Sequence, residues 1–220
     1  NLMRLTKKSK KTKLQLIVTG THLSSKFGNT YKEIEEDGFS IDSKIRIDLK
    51  KDNPSDINKA AAEVMAKISN SYKKLKPDIV ILLGDRFEML SSAFAALSMQ
   101  IPIAHIHGGE SSFGSIDEAI RHSITKMSIC HFVSTSIYKK RVIQLGEHPS
   151  RVFNLGALAT DRIKNLLIRK GEKPREYIPM AYRHEVFVIG IEEDKNSFDN
   201  SGITGQMDMT LFKIPYNSNF

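Results

Sequence analysis

The stretch that decides the fold is PDIVILLGDRFE, residues 77–88. Ile79 to Leu83 are five consecutive apolar residues, and a strand that is apolar on both faces is typical of the centre of a parallel sheet. The polar turn Gly84-Asp85-Arg86 ends this run, and a helical pattern follows from Phe87 to Met99. The stretch therefore predicts a strand, a turn and a helix, which together form the repeating unit of an α/β sheet.

The same alternation extends in both directions along the chain. Further strands are predicted at 14–18, 45–49, 101–106, 131–133 and 151–155, and further helices at 30–36, 56–75, 117–127, 137–145 and 160–167. Strands that alternate with helices in this way predict an α/β fold with a doubly wound, mostly parallel sheet. We expect residues 1–170 to form one domain and residues 171–220 to be a weakly specified tail, in which only Val186 to Ile191 has the pattern of a further strand.

The composition is that of a globular protein with a sizeable core. The 220 residues are 40% hydrophobic and carry 33 Lys and Arg against 25 Asp and Glu, for a net charge of +8. Six of these positive charges lie in residues 1–13, which contain no acid. Such an arm can bind nucleic acid or an anionic membrane, or it can be a solvated helix end. No aromatic residue interleaves the lysines as a base-stacking surface requires, which favours the helix end and no nucleic-acid partner.

Location and membrane association can also be predicted. The single cysteine, Cys130, cannot form an internal disulfide. The longest aliphatic run, Ile79 to Leu83, is far shorter than the roughly 20 residues that span a bilayer. The first residues carry no apolar stretch of signal-peptide type. These features predict a cytoplasmic protein that does not enter a membrane.

Polar residues follow the predicted strands where each strand ends. In an open α/β sheet, ligands bind beyond the carboxyl ends of the strands. The candidate substrate-binding residues at that edge are Gly20, His22, Arg86, Gly108, Gly109 and Ser134. Glycine lets the backbone approach a ligand, helix N-termini favour phosphate, and arginine adds a bidentate contact. The edge therefore predicts an anionic ligand that carries phosphate.

Simpler structural roles remain open for several of these residues. Asp85 can be the cap of an ordinary strand-to-helix turn. Asp117 opens a helix and can pair with Arg121 one turn later. His105 lies in an apolar run and is predicted to be a hydrogen-bonded core histidine, whereas His107 is predicted to face the edge. Ser134 can cap the helix that follows it.

Metal sites and common cofactor motifs are not indicated. No two histidines have the helical i, i+4 spacing with a carboxylate that a metal site uses, and a lone cysteine is not a thiolate site. The chain also lacks a Walker-type loop and a G-x-G-x-x-G motif after a strand. We therefore predict no metal and no cofactor.

Several ordered motifs between Leu2 and Leu167 resemble one enzyme family. These are LQLIVTGTHL (14–23), FGNTY (27–31), GDRFE (84–88), HIHGGE (105–110) and DEAIRHSITK (117–126). Together they resemble the hydrolysing UDP-N-acetylglucosamine 2-epimerases of sialic acid synthesis. The resemblance implies the N-terminal half of a two-domain GT-B fold, with UDP-N-acetylglucosamine or a related nucleotide sugar held between two Rossmann-like halves. It also implies a homodimer.

The resemblance further implies a reaction and a set of catalytic residues. The C2 proton is removed as UDP leaves to give a 2-acetamidoglucal, and water then adds to yield N-acetylmannosamine. Position by position, Asp85 and Asp117 match catalytic acids, Glu110 matches the glutamate of Gly-Gly-Glu, and Arg121-His122 match an Arg-His pair. His107 stands where well-studied relatives carry glutamate. Imidazole is a competent acid or base near neutrality, so His107 is kept as catalytic, and the difference also fits a related UDP-diacetamido sugar as substrate.

Two parts of the family pattern have no match in the chain. They are the first strand with its Thr-Gly-Thr-Arg loop and the second domain. We therefore expect an incomplete N-terminal half whose sheet lacks a central strand and exposes unpaired backbone groups on the neighbouring strands. The chain alone is expected to have no measurable turnover. A non-catalytic nucleotide-sugar-binding or interaction module is the alternative.

Overall fold

The protein is described by a computed structural model that covers residues 2–47, 53–112, 114–158 and 186–191. The strands within these ranges are β1 (Thr12–Thr19), β2 (Ser43–Ile45), β3 (Ile79–Leu83), β4 (Ile103–Ile106), β5 (Cys130–Val133), β6 (Val152–Asn154) and β7 (Val186–Ile191). The helices are α1 (Leu2–Lys8), α2 (Tyr31–Glu36), α3 (Pro54–Leu75), α4 (Phe87–Ser98), α5 (Ile116–Met127) and α6 (Ser136–Gln144). The strands form one sheet in the order β2-β1-β7-β3-β4-β5-β6.

The sheet is covered on both faces, as the apolar run of β3 predicts. Val80 and Leu82 belong to a core cluster that includes residues of α3, α4 and α5. Ile79 and Ile81 belong to a second cluster on the other side of the strand, with residues of β1 and α2. Successive side chains of a strand point to opposite faces, so β3 contributes to both clusters. The prediction of a doubly wound α/β fold is confirmed.

The sequence of α3, the longest of the described helices, explains where this helix begins and ends. The Asn53 side chain accepts a hydrogen bond from the Asp56 N–H at 3.0 Å, and Pro54 occupies the first turn. Val64, Ile68 and Tyr72 recur every four residues and are fully buried. Lys76 adopts a left-handed conformation that ends the helix before β3.

Strand β7 occupies the centre of the sheet and runs antiparallel to both of its neighbours. It pairs with β1 from Thr12↔Ile191 to Ile17↔Val186, and with β3 from Ile79↔Ile189 to Leu82↔Val186. The expectation that the strands beside the missing position would expose unpaired backbone groups was therefore wrong. The segment with the strand pattern in the predicted tail supplies the pairing instead.

Some predicted boundaries move, and some predictions lie outside the described residues. β2 ends at Ile45 and residues 46–47 are irregular, while residues 48 and 49 of the predicted strand are not described. β4 begins at Ile103, after Pro102, whose carbonyl accepts from the Val80 N–H at 2.9 Å. The predicted helix at 160–167 and the predicted tail apart from β7 also lie outside the described ranges. The domain boundary near residue 170 stays a prediction.

The basic N-terminal residues belong to α1, to the turn after it and, for Lys13, to the start of β1. Arg4 forms an exposed ion pair with Asp37 at 3.5 Å, and the Lys7 ammonium donates to the Gly38 carbonyl at 2.8 Å. Among the described residues, no helix combines the length and the apolar character needed to cross a membrane.

Candidate active site

Parallel strands β1, β3, β4 and β5 end at one edge of the sheet, where the polar residues predicted from the sequence lie. Asp85 and Arg86 follow β3, His107 follows β4, and Ser134 follows β5. Helix α5 lies over the same edge and carries Arg121. Side chains from these elements meet in two networks.

The first network is centred on Arg121, which is nearly buried. Its Nη2 forms an ion pair with the Asp85 carboxylate, and both side chains are at most 12% exposed. The guanidinium also donates from Nη1 to the Glu110 carbonyl at 2.9 Å and from Nη2 to Ser112 Oγ at 2.8 Å. Burial lowers the pKa of Arg121. Asp85 is therefore a partner of α5 rather than only the cap of a turn.

Asp117 and Arg121, for which a pair on one helix face was an open alternative, make other contacts in the structure. Asp117 accepts a hydrogen bond from Ser115 Oγ at 2.9 Å at the start of α5. Along its own helix Arg121 lies 3.8 Å from Glu118, one turn earlier. Asp117 is half-buried at the start of α5. The structure thus places Asp117 at the rim of the networks.

The second network joins His107, Glu110 and Ser134. The Nδ1 atom of His107 lies 2.6 Å from Glu110 Oε1, and Ser134 Oγ donates to the same oxygen at 2.8 Å. Burial alone would raise the pKa of the Glu110 carboxyl, but the hydrogen bonds from His107 and Ser134 outweigh it and hold that pKa below its usual value. Glu110 is therefore an ionised acceptor that orients the imidazole.

The turn that carries His107 has an unusual backbone. His107 has a φ of 66°, in the left-handed region that residues with a side chain seldom adopt. Its N–H donates to the Phe132 carbonyl at 2.9 Å, which helps to hold this conformation. At Gly109, with a φ of +77°, an added Cβ would lie 2.6 Å from the Tyr138 carbonyl oxygen. Only glycine fits there, so the turn packs closely against α6.

His105 contacts the turn after β3 and helix α5, which carry residues of the first network. Its prediction as a hydrogen-bonded core histidine is confirmed. It is fully buried; its Nε2 lies 2.9 Å from the Gly84 carbonyl and its Nδ1 lies 3.1 Å from Thr125 Oγ1. Because a carbonyl only accepts, Nε2 carries the proton. Burial lowers the pKa of His105 to about 4, so the ring is neutral near pH 7.

The remaining predicted site residues lie around these networks. His22 is buried and its Nδ1 lies 2.7 Å from Thr30 Oγ1, while His122 Nε2 lies 3.4 Å from Glu118 Oε1. At Gly108 an added Cβ would lie 3.0 Å from Thr125 Oγ1, so this residue also packs tightly against α5.

Sequence reasoning missed Glu88 as a member of the site. Its carboxylate accepts hydrogen bonds from Nε and Nη2 of Arg86. It also lies against Gly20, which follows β1. An acidic residue in the first turn of a helix is common in any protein, so its position along the chain gave no signal. The only available signal was its place two residues after Arg86 in GDRFE.

Comparisons with known proteins agree over most of the chain. The family model for UDP-N-acetylglucosamine 2-epimerase matches residues 4–191. The GDP/UDP-N,N'-diacetylbacillosamine 2-epimerase (hydrolyzing) of Campylobacter jejuni is 46% identical over 189 residues, which are 86% of this chain and 49% of that protein. The polysialic acid biosynthesis protein P7 of Escherichia coli is 36% identical over 99% of this chain and 55% of its own length. The chain thus spans about half the length of these curated relatives.

Solved structures of more distant proteins share the fold. The UDP-GlcNAc 2-epimerase of Neisseria meningitidis, a structure bound to UDP-GlcNAc, matches 77% of this chain and 46% of its own chain, with a TM-score of 0.66 and 18% identity. The corresponding enzyme of Methanocaldococcus jannaschii matches 72% of this chain and 49% of its own, with a TM-score of 0.58 and 20% identity. These neighbours have a GT-B-type fold, and the chain corresponds to a Rossmann-like half of it.

Proposed function

This chain belongs to the UDP-N-acetylglucosamine 2-epimerase family, and from that premise we propose that it forms the sugar-facing half of a hydrolysing 2-epimerase. The substrate is a UDP-linked 2-acetamido sugar, which is converted into the free C2 epimer and UDP through a 2-acetamidoglucal. The observation that carries the proposal is the 2.6 Å hydrogen bond between His107 and Glu110 at the sheet edge. It prepares an imidazole for proton transfer at the place where an α/β sheet binds its ligands.

His107 is the proposed base that removes the C2 proton. A carboxylate only accepts hydrogen bonds, so the Nδ1 of His107 carries the proton that bonds to Glu110. The neutral ring then has its lone pair at Nε2. Glu110 also stabilises the imidazolium that forms when Nε2 takes the proton, as an orienting carboxylate does in catalytic triads. His107 thus takes the place of the glutamate that the family resemblance implies at this position, and the carboxylate of Glu110 holds it in place.

The departing UDP needs positive charge near its phosphates. Arg86 and the start of α4 are the proposed source, because Arg86 lies at the N-cap of that helix, beside its first N–H groups. N–H groups at a helix N-terminus and a guanidinium are both suited to phosphate. Loss of UDP breaks the C1–O bond as the C2–H electrons form the double bond of the glycal.

Hydration of the glycal completes the proposed cycle. Water adds its oxygen to C1, and C2 receives a proton on the face opposite to the one that lost it. We assign that proton to Asp117, at the rim, which takes a proton from solvent before it donates to C2. The proton held by His107 and the one lost by the adding water return to solvent. Asp85 remains an anion held by Arg121 and positions α5 against the turn after β3.

The exact sugar is a second part of the proposal. The Campylobacter jejuni relative and a Legionella pneumophila relative, 43% identical over 68% of this chain, are both named for diacetylbacillosamine. The UDP-N-acetylglucosamine 2-epimerase of Neisseria meningitidis is 31% identical over 78% of this chain. These identities favour a UDP-diacetamido sugar over UDP-N-acetylglucosamine.

The test measures UDP release and deuterium uptake at C2 in D2O with both sugars. The chain is assayed alone and with the second half of the Campylobacter jejuni relative added. We expect turnover only with the added half, and a loss of about 100- to 10,000-fold for His107→Gln, with no change for the exposed His148→Gln. If the chain binds UDP but releases no UDP from either sugar under any condition, the proposed enzyme is rejected in favour of a binding module.

A further inference from the structure

Arg86 and Glu88 form a bidentate ion pair at the start of α4. Arg86 Nε lies 3.1 Å from Glu88 Oε2, and Arg86 Nη2 lies 3.0 Å from Oε1. The Glu88 side chain is 4% exposed, whereas that of Arg86 is 35% exposed. The carboxylate is therefore below the surface and the guanidinium is at the edge where the site lies.

The loop after β1 packs directly on this carboxylate. Gly20 has a φ of +67°, and an added Cβ would lie 2.6 Å from Glu88 Oε1. Any larger residue at this position would displace the carboxylate. Glu88 thus connects the loop after β1 with the turn after β3.

An ordinary acid in the first turn of a helix has little reason to be buried in this way. Such residues stabilise the helix dipole while remaining in solvent, and taking a carboxylate out of water costs free energy unless its oxygens are well bonded. Both Glu88 oxygens bond to Arg86. The arrangement therefore fixes the orientation of the guanidinium, which a long side chain would otherwise sample in many rotamers.

We propose that Glu88 is a positioning residue, which holds Arg86 so that its Nη1 side receives the diphosphate of the nucleotide. Guanidinium carries five N–H groups, of which Glu88 takes one from Nε and one from Nη2. The proposal assigns the two N–H groups on Nη1 to the diphosphate. This inference rests on the proposed function in one respect, the presence of a diphosphate in the ligand.

A role of Glu88 through its charge and a role through positioning predict opposite effects of Glu88→Gln on UDP binding. Removal of a negative charge beside the phosphate site would by itself strengthen anion binding. A glutamine keeps the shape but presents an NH2 group to one guanidinium donor, so the bidentate pair is lost. If Glu88 acts by positioning, binding weakens despite the more favourable charge.

The experiment measures binding of UDP and of uridine to the 220-residue chain by calorimetry. We expect Glu88→Gln to weaken UDP binding about tenfold, a typical coupling for contacting residues, and to leave uridine binding unchanged. Arg86→Gln should weaken UDP binding at least as much, and adding Glu88→Gln to it should have no further effect. Glu63→Gln, which removes the carboxylate of an exposed pair with Lys67 on α3, is the matched control and should bind UDP as the parent does.

A second variant decides the question if Glu88→Gln does not fold. Gly20→Ala displaces the carboxylate without removing it and is expected to give the same loss for UDP alone. UDP binding that is unchanged or tighter in the folded variants overturns the proposal, as does an additive effect in the double variant. UDP is chosen because it carries the diphosphate whichever sugar is the substrate. A Glu88-dependent affinity without turnover would reject the proposed reaction and keep this role, and no UDP binding by the parent chain would reject this role.

Discussion

Replacement of His105 by glutamine should remove much of the acid sensitivity of this fold. His105 is fully buried and neutral, and burial lowers its pKa from 6.5 to about 4. The unfolded chain therefore binds a proton below pH 6.5 that the folded chain does not take up until about pH 4. The stabilising contribution is complete above pH 6.5 and is lost as the pH falls toward 4. At about 1.4 kcal/mol per pKa unit, the total is roughly 3 kcal/mol.

The assay compares urea denaturation of each variant at pH 7.5 and pH 5.0. Wild-type protein should lose roughly 2 kcal/mol of unfolding free energy between these pH values through His105. The loss in His105→Gln should be smaller by that amount. Comparing the two pH values within one variant removes the cost of the substitution itself. His131 is buried as well and its pKa is also lowered by burial, so His131→Gln should flatten the profile further. An unchanged pH difference in His105→Gln would refute the reasoning.

Three further substitutions test the packing around the site by the free energy of unfolding in urea. Val188→Pro removes an N–H from the middle of the central strand β7 and should cost about 2 to 3 kcal/mol; a change below 0.5 kcal/mol would argue against the position of β7. Gly109→Ala should cost about 1 to 3 kcal/mol more than Gly28→Ala. Both glycines have positive φ, but an added Cβ would have neighbours within 4 Å at Gly109 and none at Gly28. Arg121→Lys keeps the charge but loses the planar fork and should cost about 2 to 3 kcal/mol, with a matching fall in turnover when the added half is present.

Strands β3 and β4 were predictable because each is a buried and mainly apolar run. Ile79 to Leu83 are apolar along their length, and Ile103 to Ile106 are apolar except for His105, as is typical of strands covered on both faces. The location of β7 was not predictable in the same way. Val186 to Ile191 has a similar pattern, but nothing local indicates that it inserts between two strands that lie more than 100 residues earlier in the chain. Long-range pairing depends on which position between strands remains unpaired in the sheet. The alternation of strands and helices along the sequence does not identify that position.

The site was predictable as a location and less so as a set of contacts. Because strand ends converge at one edge, sequence order alone brought Asp85, His107 and Ser134 together. The alternative i, i+4 pair of Asp117 with Arg121 is not the arrangement in the structure, because such pairs are worth only about 0.5 kcal/mol. A buried arginine that can bond to Asp85 and two other acceptors gains more by turning toward the sheet.

The two demands of the proposed reaction fall on separate networks. Proton transfer depends on His107 and Glu110 beyond β4, whereas stabilisation of the leaving UDP depends on Arg86 and Glu88 beyond β3. The turn at Gly84 lies between them, and its carbonyl accepts the Nε2 proton of His105. His105 also contacts Thr125, whose hydroxyl oxygen lies 3.0 Å from the Arg121 carbonyl oxygen. A change at Glu88 should therefore affect the binding and the departure of UDP, whereas a change at His107 should affect proton transfer. A change at His105 should weaken both, because it loosens the backbone from which both networks start.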